Sequence, residues 1–515
     1  MARTKKTYVN VSAAVANQII TLILTFVVRS IFIVTLGIFL QGIHALFLNV
    51  IFILSFIEVG IGMALVYKLY KPLADNNYKM ISAYVKYMQK VYLLLAAIVF
   101  AAGLVIMPLM QFFIGDFATN SYITNSQLMI FYVLVLVSNI VTYLVSHKRA
   151  VLVADQKNYV LNIISIATVI LLKGLQMIAL LAMHNFYVFL AAQIVANAVS
   201  IIAIFLIYSK KYSHLKNFKS QRLSLDDKLD IRKKIRDILI SRIGLTLTAT
   251  SIAIVVSILM GASNLGVFSN YWLIITSLHA LIGIVFDAIT PSLGNLTAEA
   301  SLVKRQEMFF KLHHINAFFA TIFTAPVIVL LNPFVSLWTG YSFYAYTLMP
   351  YILGVYFYFI AMRKVLTIHI EANGIFNLYQ WRTIVEAVFA IGLAVLLSHF
   401  FGLIGIVVAY IVSYLIWNLP LMIIAVVRKT MNVSTKKYLL RELLYLLIAA
   451  FTVIYFVLIG NLVNLHSWVM FFAMGISGVL LCALIFVLFT SWMPETKFFA
   501  KRCVNVLYKK LFRNK

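Results

Sequence analysis

The chain has 515 residues, of which 63% are apolar and 11% charged, with a mean hydropathy of +1.00. A soluble domain is nearer half apolar and a quarter charged, so this composition excludes a soluble enzyme, a disordered chain and a disulfide scaffold. The formal charge of +27, from 42 Lys and Arg against 15 Asp and Glu, would suggest nucleic acid in a soluble chain, but its distribution here carries another meaning.

In chain order, fourteen apolar runs reach the length of about 20 residues that a helix needs to cross a bilayer. They lie near 11–36, 44–68, 91–113, 127–146, 159–183, 186–208, 238–260, 265–290, 313–338, 346–368, 383–400, 403–427, 441–462 and 467–490. Barrel strands would alternate and these runs do not. Lipid offers no partners to the backbone, so the spans are helices and the expected class is an all-α integral membrane protein. All but four of the 42 cations fall in every second inter-span segment, starting with the N-terminus. The intervening loops carry none. Lys and Arg accumulate on the cytoplasmic side, so this alternation predicts a multi-pass cell-membrane protein with both termini cytoplasmic, and the charge needs no nucleic acid. The first run is too long for a secretory leader and reads as a retained span. Cys482 and Cys503 imply neither a disulfide nor a metal site.

The longest loop, 209–237, is basic and divides the chain into residues 1–208 with six spans and 238–427 with six more. Spans thirteen and fourteen (428–490) follow, and then a basic tail (491–515). In the tail Phe499, Cys503, Val506 and Leu507 share one helical face opposite Lys and Arg, the pattern of an interfacial helix on anionic lipid. Spans two and eight align at one offset: Phe47-x-Asn49 with Phe268-x-Asn270, Ser55 with Thr276, Glu58 with His279, Gly62 with Gly283. Ala154-Asp155-Gln156 and Ala372-Asn373-Gly374 align at nearly the same offset. Two parallel repeats characterise alternating-access carriers.

A charge at the bilayer centre costs about 2.5–3.5 kcal/mol on insertion scales. At about 1.5 Å rise per residue, Lys173 sits roughly 20 Å from the basic start of span five, Arg29 roughly 12 Å from the opposite end of span one, and Glu58 roughly 21 Å into span two. His279 is similarly central. Arg29 and Lys173 have the charge to bind an anionic headgroup, Arg through its planar fork and Lys as a point charge. A structural pair between Arg29 and Glu58 is the plain alternative. Glu58 and His279 are candidates for coupling to H+ or Na+. Arg242, Asp287 and Arg363 lie near cytoplasmic ends, where interfacial pairing explains them. Asn270 and other amides, among them Asn49, Asn139, Gln193, Asn197 and Asn295, serve either as interhelical glue or as partners of sugar hydroxyls. The chain has no phosphate-binding loop, no metalloprotease or CxxC motif, and no long outer loop for an enzyme domain.

Several stretches occur together in an order that is familiar: Leu36-Gly37, Ala45-Leu46-Phe47, Ile57-Glu58-Val59-Gly60-Ile61-Gly62 and Tyr67-Lys68-Leu69-Tyr70-Lys71-Pro72-Leu73-Ala74. Gly266-Val267-Phe268-Ser269-Asn270-Tyr271, Ser292-Leu293-Gly294-Asn295-Leu296, Glu371-Ala372-Asn373-Gly374 and Gly402-Leu403-Ile404-Gly405 follow. Over residues 5–430 the chain resembles the polysaccharide flippases of Gram-positive bacteria, the Wzx-type branch of the MATE/MOP superfamily. The resemblance implies two six-helix lobes in a pseudo-twofold V around a central cavity, plus two C-terminal helices. It implies a non-enzymatic carrier that exports undecaprenyl-diphosphate-linked oligosaccharide for capsule, exopolysaccharide or another surface polymer, beside glycosyltransferases and a polymerase. Lipid II flippases of the superfamily hold pyrophosphate with cavity arginines, and Arg29 matches that role. Span two offers no second arginine and carries Glu58 instead. The rival readings are a MATE-type cation-coupled multidrug antiporter, a membrane glycosyltransferase or polymerase, and a non-transporting scaffold.

Overall fold

The computed structural model describes residues 2–118, 123–217, 223–340, 347–373, 375, 380–463, 465 and 467–502. The end of the basic tail, Cys503 included, and the side chains of Arg242 and Asn295 lie outside the described residues. The helices in chain order are α1 (Ala2–Ala74), α2 (Tyr78–Ile106), α3 (Asn125–Ile140), α4 (Tyr143–Ala154), α5 (Asn158–Leu181), α6 (Phe186–Lys211) and α7 (Leu225–Met260). Then come α8 (Ala262–Glu299), α9 (Leu302–Thr339), α10 (Met349–Asn373), α11 (Gln380–Ser413), α12 (Leu419–Met422), α13 (Thr435–Gly460) and α14 (Trp468–Thr490).

Among the described residues, 12 helical segments are long and apolar enough to cross a membrane. Two of them, of 63 and 50 residues, are far too long for one crossing. Each is broken at a glycine: Gly37 at φ 84°, ψ 166° and Gly402 at φ 55°, ψ −135°. These left-handed conformations carry a Cβ penalty for other residues, so glycine is where the chain turns back. Dividing both segments gives the fourteen crossings expected from the sequence. Large apolar side chains stand exposed along them, for example Val34, Leu48, Leu447 and Val469, as lipid-facing surfaces require. Four of the turns between helices use left-handed residues, at Asn76, Gln156, His184 and Asn432. Side chains of Asn77, Thr124, Asn185 and Ser224 cap the next helix by accepting from its first backbone N–H groups. The second half of the basic 209–237 segment is helical. It forms the first turns of α7, where Asp226 and Asp227 complement the helix dipole.

The backbone separates into two compact units: residues 1–269 with 383–391, and residues 270–382 with 392–515. In the first, α1 packs on α5 and α7. It also meets the start of α8 backbone to backbone: a Cβ on Gly42 would lie 1.8 Å from the Ala262 carbonyl oxygen, and one on Gly266 would lie 2.2 Å from the Ile38 carbonyl oxygen. At the foot of α1, Lys68 pairs with Asp230 at 2.5 Å and fastens α7 to it. The 155–157 turn is fixed by Asn10, whose Oδ1 accepts from the Tyr159 backbone N–H at 2.8 Å, and by Tyr212, whose hydroxyl donates to Asp155 at 2.6 Å.

In the second unit α9 is central, packing against α10, α13 and α14. A buried polar network ties it to α13 and to the segment after α14. His313 Nε2 meets Glu442 Oε2 at 2.7 Å. His314 meets the Tyr445 hydroxyl through Nδ1 at 3.0 Å and the Thr496 hydroxyl through Nε2 at 3.1 Å. Arg441 donates to Glu495 at 2.6 Å. Burial pushes the Glu495 carboxyl up, but Arg441 outweighs it and holds it below the usual carboxylate range. Near the end of the fourteen-span run, Tyr414–Asn418 and Ile423–Thr430 widen into π-helix on either side of α12, and Arg382 donates to the Leu421 carbonyl between them at 3.1 Å.

Two outcomes test these packing claims. Gly42→Leu should destabilise the purified chain by about 1–3 kcal/mol or more, the cost of overpacking a tight contact. Gly174→Ala, with open space around it, should not. Glu442→Ala should cost about 1–3 kcal/mol by leaving buried His313 without its acceptor. Thermal melts followed by size-exclusion chromatography read all three.

Candidate functional site

Charge inside the first unit gathers in two places. At the first, the broken α1 brings Arg29, before the break, and His44, after it, to one region, and α5 supplies Lys173. Arg29 donates from Nη2 to the Ser269 hydroxyl. Gln41 donates to the same hydroxyl at 3.3 Å, and Ser269 donates in turn to the Gly266 carbonyl at 2.8 Å. Lys173 donates to Gln176 Oε1 at 3.2 Å. The charges that Lys173 and His44 feel most are cationic: Arg29 acts on both, and Lys173 on His44. Sequence reasoning named Arg29 and Lys173 separately, and the fold brings them together. Phe32, Phe186 and Phe189 wall His44, with ring centroids at 6.4, 6.3 and 5.5 Å. Beside this cluster is a cavity of about 350 Å³, lined among others by His44, Ser55, Asn139, Gln176 and Asn197. Its amides are already engaged: Ser55 donates to Asn139 at 3.0 Å, Gln193 to Asn197 at 3.1 Å, and Asn197 to the Ser138 carbonyl at 2.6 Å.

The second place is Glu58. It does not pair with Arg29. Ser146 of α4 donates to Glu58 Oε1 at 3.0 Å, and the charge facing it is Arg149, three residues further along α4. Tyr92 and Tyr143 stand around the same carboxylate, the Tyr143 hydroxyl falling outside hydrogen-bond geometry. Sequence reasoning ended span four at residue 146 and left Arg149 among the loop cations. The helix instead continues to Ala154 and carries Arg149 inward. The missed signal was the apolar run Ala150-Val151-Leu152-Val153-Ala154, which extends the span beyond His147, Lys148 and Arg149. Glu58, Arg149, Tyr67, Tyr70 and Tyr92 line a cavity of about 620 Å³.

In the second unit His279 of α8 lies in the field of Lys364, Arg363 and Asp287, with Nδ1 buried and unbonded. Lys364 and Asp287 form an ion pair at 2.6 Å. Arg363 stacks over the Tyr414 ring, its guanidinium carbon 5.6 Å from the centroid. Asn270 is fully buried. Thus in each unit the mid-helix titratable residue of the second repeat helix, Glu58 or His279, faces cations from the fourth. Sequence reasoning did not single out Lys364. Arg242 lies outside the described side chains. Another cavity of the unit, about 820 Å³, is lined by Tyr271, Asn332, Ser336, Tyr351 and Asn461, with Tyr271 donating to Asn332 at 2.8 Å. Among the described residues, no group of three His, Cys, Asp or Glu side chains is arranged to hold a metal ion.

No family model matches the sequence, and no curated protein matches it. Solved structures do. The lipid II flippase MurJ in an inward closed conformation is 15% identical with a TM-score of 0.62, covering 92% of this chain and 98% of that one. An inward-facing multidrug resistance MATE family transporter of the MOP superfamily is 15% identical with a TM-score of 0.63, covering 80% and 96%. The eukaryotic MATE transporter AtDTX14 is 14% identical with a TM-score of 0.57, covering 84% and 97%. This chain therefore has the fold that a lipid flippase and multidrug transporters share.

Proposed function

We propose that the chain is a cell-membrane carrier, not an enzyme, that flips undecaprenyl-diphosphate-linked oligosaccharide by alternating access for capsule, exopolysaccharide or a related surface polymer. The observation that carries this reading is the clustering of Arg29 and Lys173. Arg29 donates to the Ser269 hydroxyl and Lys173 to the Gln176 amide oxygen, and Lys173 lies in the field of Arg29. Two like charges held together within membrane spans are costly, and an anionic ligand between them repays that cost. A diphosphate takes Arg29 through its fork and Lys173 through its ammonium. The basic segments face the cytoplasm, with both termini there, and the tail rests on anionic lipid. Glycosyltransferases supply the substrate and a polymerase consumes it. Glu58 and His279, each set against cations, couple H+ or Na+ movement to the return step. No resident cofactor is needed.

A second reading has its own support. Glu58 among tyrosines is chemistry suited to an organic cation, and MATE transporters share the fold. Arg149 beside Glu58 opposes it.

Two experiments separate these readings. At matched protein level, Arg29→Ala should lower surface polysaccharide at least tenfold, while Arg29→Lys should retain part of it. Full export by the alanine variant, with drug resistance on overexpression of the parent, favours the antiporter. Lys173→Met should raise the thermal stability by about 1–2 kcal/mol, since an apolar side chain of similar length replaces a repelled charge. The same variant should export less. Loss of stability on this substitution would mark Lys173 as merely structural.

A further inference from the structure

The cavity at Glu58 shares no lining residue with the one beside the Arg29 and Lys173 cluster, and its chemistry is different. Residues 58, 62, 66 and 70 of α1 follow one another at four-residue spacing and present one face to it. Gly62 leaves room for the Tyr92 hydroxyl, which a Cβ there would meet at 3.1 Å. Opposite stand Ser146, Arg149 and Val153 of α4, again on one helix face. Tyr67 and Tyr70 are 61% and 49% exposed, with centroids 6.4 Å apart and rings edge to face. The ammonium of Lys234 sits 4.2 Å over the Tyr67 ring and 3.4 Å from Asp230, so this ring is held in place from behind.

We propose that this cavity is a subsite for uncharged sugar rings, separate from the place where the diphosphate is held. The inference rests on the glycolipid reading above. Its basis is the balance of donors and acceptors. The Arg149 guanidinium has no hydrogen-bond acceptor among the described residues. Glu58 accepts from Ser146 at 3.0 Å with Tyr143 close by, and a carboxylate has about four acceptor positions, more than these two fill. A diphosphate bound to Arg149 would meet the Glu58 carboxylate. An organic cation bound to Glu58 would meet Arg149. A ring of hydroxyls suffers neither penalty, because each hydroxyl both donates and accepts. It donates to Glu58 and accepts from Arg149, and both are stronger than neutral hydrogen bonds. The apolar face of the ring then lies on Tyr67 or Tyr70. A volume of about 620 Å³ is ample for a sugar of one to a few rings. Arg149 also borders a smaller hollow of about 190 Å³ with Ser165, Thr168 and Asn197, which adds further hydroxyl and amide partners.

The test is saturation-transfer NMR on the full chain in nanodiscs. The probes are the methyl glycosides of glucose, galactose, mannose, N-acetylglucosamine and N-acetylgalactosamine. At least one should receive saturation from the parent protein. Arg149→Gln and the exposed Tyr70→Ala should each cut that signal at least fivefold, while Tyr70→Phe should retain it. The melting temperature of each variant guards against misfolding, and Tyr70, on the surface, is the safer of the two. Inorganic pyrophosphate and tetraphenylphosphonium should not compete. No transfer from any glycoside, or a signal indifferent to Tyr70→Ala, overturns the subsite. Displacement by pyrophosphate makes it a second anion site, and displacement by tetraphenylphosphonium makes it a drug site; either also overturns it. Arg29→Ala keeps the two readings apart. Should it export normally while glycosides still bind at Tyr70, the flippase reading fails and the sugar site stands. Should it abolish export while no glycoside binds, the reverse holds.

Discussion

Charge in a membrane bundle must be matched, and how each charge here is matched decides what the rest of the structure means. Most are matched within the protein. Lys364 has Asp287, Arg441 has Glu495, Lys68 has Asp230, and His313 has Glu442. These pairs join one helix to another and need no ligand to explain them. Lys173 and Arg149 differ. Lys173 meets an amide and the field of Arg29, and Arg149 meets a carboxylate without a hydrogen bond. Removing an ion from water costs several kcal/mol unless a partner restores what water gave. A fold that holds Lys173 against an amide and Arg149 against a carboxylate it does not hydrogen-bond sacrifices stability there, and such sacrifices concentrate where ligands bind.

The backbone makes these meetings possible. Without the break at Gly37, Arg29 and His44 would be about 22 Å apart along one straight rod at 1.5 Å per residue. The reversal returns the chain on itself, so that both reach Lys173. The contact of Gly42 with Ala262 and of Gly266 with Ile38 then holds α1 against the start of α8, the stretch that carries Ser269. Two glycines packed to carbonyl distance leave no room for a side chain, so the position of Ser269 under Arg29 follows from small residues one turn away. In the second unit histidine and glutamate do comparable work. His313, His314 and Asn316 send bonds from α9 to α13, to the segment after α14 and to α10, and thereby fasten the last two crossings to the unit.

Much of this was legible from sequence, for identifiable reasons. The crossings are long apolar runs, and both glycine breaks fall between runs that hydropathy separates. Arg29, Lys173, Glu58 and His279 stand out because ionisable residues are rare at such depth. Who meets whom was not legible. Arg29 and Ser269 are 240 residues apart in sequence, and His313 and Glu442 are 129 apart. The weak repeat between spans two and eight carried no contact information of its own. Arg149 was missed for a local reason: three polar residues, His147, Lys148 and Arg149, mimic a span end. Yet five apolar residues follow, and the turn comes at Asp155. Helix periodicity continued through the polar triplet would have placed Arg149 on the same face as Ser146 and Val153.

At 14–15% identity, a lipid flippase and multidrug transporters share this fold, so the fold by itself does not choose between their two kinds of ligand. Side chains do. A cationic drug is favoured by acids without bases beside them. In the first unit Glu58 has Arg149 beside it, whereas Lys173 lies in the field of another cation, Arg29. Two cations meet at the first place, and one carboxylate faces one guanidinium at the Glu58 cavity. Under the proposed function, the ligand that fits both has one strongly anionic part and one neutral, hydroxyl-rich part joined together. That division of charge within a single molecule is the feature of a sugar-diphosphate headgroup that neither a simple anion nor an organic cation shares.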